Sequence, residues 1–135
     1  MKVTGGCHCG AIAYEAEIDP AQVSICHCTD CQMITGTVYR LSVPAPADKF
    51  KLTRGAPRIY LKRTADSGRI RAHGFCSDCG SPMYATQPEN PHTYTLRVGN
   101  MAQRNELPPQ RQMWTKSRLP WVTRDISDLP GPEKE

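Results

Sequence analysis

Seven cysteines fall into three tight blocks, Cys7-His8-Cys9, Cys26-His27-Cys28-Thr29-Asp30-Cys31 and Cys76-Ser77-Asp78-Cys79, with none left over. Thiols so closely spaced are ligands for a soft metal. Structural zinc takes four Cys or His side chains, whereas catalytic zinc takes three and keeps one position for water or substrate. Cys7, Cys9, Cys76 and Cys79 supply one closed four-thiolate site. Cys26, Cys28 and Cys31 have no eighth cysteine to complete them and form an open three-thiolate site, so the count predicts two Zn2+ per chain, one structural and one reactive. A histidine would close the second site. His73 or His92 suits that role better than His8 or His27, which lie inside the chelating loops. Iron-sulfur ligation is the chief rival use of these thiols. Disulfides fit poorly, because the count is odd and Met1-Lys2-Val3-Thr4 enters the first block without an apolar leader. Reduced thiolates point to the cytoplasm.

The elements that must position these blocks read as short strands. Ile12, Tyr14, Ala16 and Ile18 alternate with Ala13, Glu15 and Glu17, the pattern of a half-buried strand ended by Asp19-Pro20. Val23 to Ile25 reads as a strand that delivers the three-cysteine block from its end, and Gln32 to Gly36 as one helical turn stopped by glycine. Thr37 to Val43 is predicted as a strand ended by Pro44 and Pro46, with Ala45 to Lys49 as a loop. Phe50 and Leu52, then Ile59 and Leu61, mark two more strands. Asp66-Ser67-Gly68 turns the second into its hairpin partner, Arg69 to Phe75. Pro82 to Ala85, Thr93 to Val98 and Arg111 to Trp114 complete the strand set. Some eight short strands with few helix signals predict a mainly β, small antiparallel-sheet domain over residues 1–122. Residues 123–135, rich in proline and charge, read as a carboxy-terminal tail.

A chain of 135 residues with 39% hydrophobic and 7% aromatic side chains builds one domain with a modest core, which zinc would reinforce. No apolar run approaches the ~20 residues that span a bilayer, so no membrane partner is expected. The formal charge of +4 treats the cysteines as neutral; deprotonating all seven and adding two Zn2+ lowers it to about +1, which gives no support to a nucleic-acid partner. The hairpin carries Arg58, Lys62, Arg63, Arg69 and Arg71. Such a face is ordinarily solvated; the sharper reading makes Arg58, Lys62, Arg69 and Arg71 an attraction for an anionic substrate such as a peptide carboxylate. Nothing in the composition opposes a homo-oligomer.

Gly6-Cys7-His8-Cys9-Gly10, Cys26 to Cys31 followed by Gly36, Phe75-Cys76-Ser77-Asp78-Cys79-Gly80, and the later Pro108, Trp114, Lys116, Ser117, Pro120 and Trp121 together resemble the glutathione-dependent formaldehyde-activating family, also called the centromere-protein-V/GFA domain. The resemblance implies an Mss4-like β-tent fold of antiparallel sheets. It also implies structural zinc on Cys7, Cys9, Cys76 and Cys79, and catalytic zinc on Cys26, Cys28 and Cys31. The implied activity is that of a carbon-sulfur lyase, joining glutathione, a small thiol, to formaldehyde, a small aldehyde, as S-(hydroxymethyl)glutathione. Zinc on three thiolates sits in a formal −1 environment, which suits holding and exchanging a thiol better than polarising water. His27 is either a proton acceptor or a supporting donor, and Asp30 reads as a loop acceptor. The short loops near Ala45 and Glu89 lack the length to wrap a tripeptide. A structural or protein-binding zinc domain without catalysis is the alternative.

Overall fold

The computed structural model describes residues 1–134; the last residue of the expected tail, Glu135, lies outside them. Ten strands and one short helix follow in the order β1 (Lys2–Gly6), β2 (Ala13–Glu17), β3 (Ser24–Cys26), α1 (Thr29–Thr35), β4 (Arg40–Pro46), β5 (Phe50–Arg54), β6 (Arg58–Lys62), β7 (Arg71–Phe75), β8 (Pro82–Thr86), β9 (Thr93–Arg97) and β10 (Arg111–Met113). They make a three-stranded sheet, β1-β2-β5, and a seven-stranded sheet, β10-β3-β4-β9-β8-β7-β6. The mainly β expectation is therefore met. All pairings are antiparallel except β10 with β3, which is parallel and departs from the all-antiparallel expectation. A parallel neighbour is reachable here because the long excursion from β3 to β10 crosses most of the chain.

The core lies between the two sheets. Period-2 alternation puts Val3, Tyr14, Ala16 and Phe50 on the inner face of the small sheet, and Val43, Ala45, Leu96, Tyr94 and Tyr84 on the facing side of the large one. Phe50 bridges the layers: its ring stacks on Tyr94 at 4.3 Å and meets Tyr14 and Tyr84 at 5.6 Å each. Gly74 lies opposite Tyr84, whose ring occupies the space that a Cβ would need, so a larger residue there would push the ring out of the core.

Pro44 and Pro46 do not end β4; both lie inside it, opposite Thr95 and Thr93 of β9. The reason is local. β3 pairs with β4 only from Arg40 to Ser42, so beyond Ser42 the strand has no neighbour on that side to need a proline N–H. Ala45 accordingly belongs to the strand, and only Ala47–Lys49 make a 3-10 turn. The helix also begins three residues earlier than expected, with Cys28 as its N-cap and Gly36 closing it in the left-handed region. β1 was not anticipated from the sequence; its Gly5-Gly6 end looks like turn material, yet it pairs with β2 along its whole length. Residues 123–134 are exposed turns and coil.

The other face of the large sheet is polar. Register places Cys26, Arg40 and Ser42, Arg97, His73 and Arg71, and Tyr60 and Lys62 on that side of successive strands. Several of these are buried, Ser42, Arg97 and His73 among them. α1 packs nearby, with Asp30 bonded to Lys62 and Ile34 beside His73 and Arg97.

Candidate metal centres

The turn after β1 and the turn between β7 and β8 bring four thiols together. The sulfurs of Cys7, Cys9, Cys76 and Cys79 lie within 4.8 Å of one another, with Cys7 3.6 Å from Cys9 and Cys9 3.8 Å from Cys76. A tetrahedron with Zn–S bonds of ~2.3 Å has edges of ~3.8 Å, so this donor set fits zinc. The backbone N–H of Ile12 donates to Cys7 Sγ at 3.2 Å. Cys79 Sγ lies 3.2 Å from Ser81 Oγ, and that hydrogen bond is the leading cause that draws its thiol down to about 5. Its neighbour Cys9 is pushed up to about 12 by the bond to Cys7, burial and the other thiols, so Cys79 is the readier ligand of the two.

The second cluster is built by the end of β3 and the start of α1. Cys26, Cys28 and Cys31 also lie within 4.8 Å of one another, and among the described residues no histidine or carboxylate joins them at that range. Cys28 caps the helix by accepting from the Cys31 N–H at 3.3 Å. A hydrogen bond from Cys31 brings Cys26 down to about 5; the Cys28 backbone and the charge of Arg40, opposite Cys26 across the β3–β4 ladder, add to it. Giving that bond, and burial, push the Cys31 thiol up.

Neither histidine considered as a fourth ligand lies in this cluster. His73 sits on β7 with its Nδ1 3.4 Å from Arg97 Nη2. His92 is exposed before the start of β9, at the opposite end of that strand from Arg97 and ~16 Å along it at ~3.3 Å per residue. His27 is buried, its Nε2 2.9 Å from Gln112 Oε1 and its ring edge-on to Tyr39. Asp30 is no loop cap: its Oδ2 accepts from Lys62 Nζ at 3.0 Å and Thr64 Oγ1 at 2.7 Å, tying α1 to the β6–β7 hairpin. Those bonds, Thr64 first, hold its carboxyl below the usual range.

The four hairpin cations part company. Arg58 and Arg69 are exposed, whereas Lys62 and Arg71 are half-buried, and Lys62 shares a cleft with Cys28. A cleft of about 470 Å³ runs past Cys28, Asp30 and Lys62 to Trp114, Lys116 and Ser117. The far wall is fixed to the helix by Gln32, whose side-chain amide donates to the carbonyls of His27 at 2.7 Å and Ser117 at 3.1 Å. Trp114 takes a left-handed backbone, and the Lys116 ammonium lies 4.9 Å from its ring centre. Arg40 and Arg97 also stand at this site, with no signal in the sequence to mark them. Both lie in alternating strands, and nothing local marks the polar side of those strands as the buried one.

A mainly β chain that gathers its thiols into a four-cysteine and a three-cysteine cluster is the class defined by this fold and site. The family model of the glutathione-dependent formaldehyde-activating enzyme matches residues 2–117, and the chain belongs to that family. It is 25% identical over 131 residues, 90% of this chain and 80% of its relative, to a Halomonas elongata protein described as "Putative glutathione-dependent formaldehyde-activating enzyme". A crystal structure of a Rhodobacter sphaeroides protein shares the fold, with a TM-score of 0.62 at 24% identity, covering 82% of this chain and 99% of that one. Among the described residues no helix is long and apolar enough to cross a membrane.

Proposed function

We propose that the chain is a zinc-dependent carbon-sulfur lyase acting on a thiol/aldehyde adduct, with glutathione and formaldehyde as the pair its family membership favours. In that reading Cys7, Cys9, Cys76 and Cys79 hold a structural zinc within a β-tent fold, and Cys26, Cys28 and Cys31 hold a reactive one. The observation that carries it is the three-thiol cluster beside a cleft, with no fourth protein ligand within range among the described residues. A zinc bound there would lower the pKa of a substrate thiol. The chain's own part is to hold that thiol's carrier between Lys62 and the Trp114–Ser117 wall, and to favour the Cys26 thiolate through Cys31 first, with the Cys28 backbone and the Arg40 charge adding to it. In the reaction the thiol sulfur bonds to the aldehyde carbon and the thiol proton ends on the former carbonyl oxygen, giving the S-hydroxymethyl adduct. His27, turned to Gln112, supports the fold of the chelating loop.

Cobalt in place of zinc tests this reading. Glutathione is expected to change the thiolate charge-transfer spectrum, and formaldehyde to alter that response only when Cys26, Cys28 and Cys31 are intact. A spectrum indifferent to every thiol, or one zinc per chain instead of two, would favour the alternative of a structural or protein-binding zinc domain.

A further inference from the structure

Arg97 is a buried cation with no carboxylate partner; the opposing charge it feels is that of Cys31 and Cys26. It is 5% exposed, its Nε has no hydrogen-bond partner, and its other contacts are long: Nη1 to the Thr95 carbonyl and Nη2 to His73 Nδ1, 3.4 Å each. Arg40 also has a buried Nε without a partner, and Arg71 stands two residues before His73 on the same strand face. The ion pairs among the described residues are Lys49 with Glu17 and Lys62 with Asp30, so no carboxylate serves these three guanidiniums. Burying unpaired charge is costly. The strain is legible in the ionisation: burial and then Arg40 bring Arg97 down to about 9, and burial and then Arg97 bring His73 down to about 4. The three thiolates with a zinc would carry about −1. Against three guanidiniums that leaves a positive excess in the polar layer of the sheet.

A cleft of about 450 Å³, a size usual for small-ligand sites, opens onto this layer. Arg97 and His73 form its polar wall; Ile34, Phe75 and Pro82 form apolar ones, and half-exposed Tyr60 stands at the rim. We propose that this cleft is a carboxylate-binding subsite, in which the Arg97 guanidinium receives the carboxylate of a small organic acid while Arg40 and Arg71 supply the surrounding positive field. The planar fork matches a carboxylate, and the apolar walls accept the carbon chain attached to it. Assigning that carboxylate to the thiol substrate rests on the function proposed above; the anion site itself does not.

Propionate and its neutral counterpart propanol separate the two claims. In the zinc-loaded protein, propionate is expected to raise the melting temperature saturably and propanol to leave it unchanged. Arg97→Met is expected to be at least as stable as the parent without ligand, since it removes an unpaired buried charge, and to lose the propionate response. Arg40→Gln is expected to weaken propionate at least five-fold, and it decides the matter if Arg97→Met does not fold. Equal effects of propionate and propanol, or an undiminished propionate response in both variants, would overturn the site. Inorganic phosphate binding more tightly than propionate would overturn the carboxylate assignment. On cobalt-loaded protein, 3-mercaptopropionate is expected to perturb the spectrum at ten-fold lower concentration than 3-mercaptopropanol. Propionate binding without that advantage would overturn the link to the thiol site. Propionate binding with no spectral response to either thiol would instead reject the proposed function and leave the anion site standing.

Discussion

Lys62 Nζ lies 3.0 Å from Asp30 Oδ2, joining residues 32 positions apart across the edge of the large sheet. Asp30 is the residue before Cys31, and Lys62 is the last residue of β6, so this pair fixes the chelating helix against the hairpin. Their side chains are 30% and 13% exposed, between the surface and fully buried cases. A double-mutant cycle with Asp30→Ala and Lys62→Met should give a coupling of about 1–2 kcal/mol, between the limits known for exposed and buried pairs. Zero coupling in thermal melts would mean that the hairpin and helix are held by other contacts.

The two clusters should differ in what their loss does to the fold. Cys7 and Cys9 follow β1, while Cys76 and Cys79 follow β7, so metal on these four clamps the small sheet to the large one. The three-cysteine cluster spans only six residues of sequence. Cys76→Ser should therefore unfold the protein or cut its melting temperature severely, since structural zinc can contribute on the order of 10 kcal/mol. Cys31→Ser should leave a folded domain with one zinc. Matching melts and matching zinc content in the two variants would reject the division of labour.

Much of this was legible because it is local. Cysteine spacing announces the two thiol clusters, and alternation at Tyr14-Ala16 and Tyr94-Leu96 announces strands, since both are dictated by near neighbours in sequence. What was illegible depends on partners far away. Pro44 and Pro46 look like strand breakers until β3 is known to stop opposite Ser42. Arg97 looks like a solvated strand residue until α1 is placed near that side of the sheet and Ile34 beside it. Lys62 and Arg71 read in the sequence as one set with Arg58 and Arg69, and only the hairpin's position at the sheet edge divides them.

The buried imidazole of His27 makes a further prediction. Gln112 on β10 is the hydrogen-bonding partner of its Nε2. Gln112 is exposed although the ring it holds is buried, so Gln112→Ala opens that nitrogen to water and should cost about 0.5–1.5 kcal/mol. Thiol exchange at the cobalt-substituted cluster should stay within about two-fold of the parent, the difference being under ~0.5 kcal/mol. A large loss of exchange with unchanged stability would instead make His27 a participant in the proton transfer.

His73 should impose a pH dependence on stability. Its folded pKa lies at about 4, through burial first and the Arg97 charge second, against about 6.5 in an unfolded chain. Between those values the unfolded chain binds a proton that the folded one does not, so the folded state loses stability as pH falls from 6.5 toward 4 and is unaffected above about 7. The shift sets a ceiling of about 3 kcal/mol, which partial solvent screening reduces to about 1–2 kcal/mol. Acid also releases thiolate-bound metal, but that affects the parent and His73→Gln alike. The difference in unfolding free energy between the two should therefore be flat above pH 7 and change by about 1–2 kcal/mol in favour of the variant on descending to pH 4. Parallel stability curves across that window would show that His73 titrates as an ordinary surface histidine, and that Arg97 does not press on it.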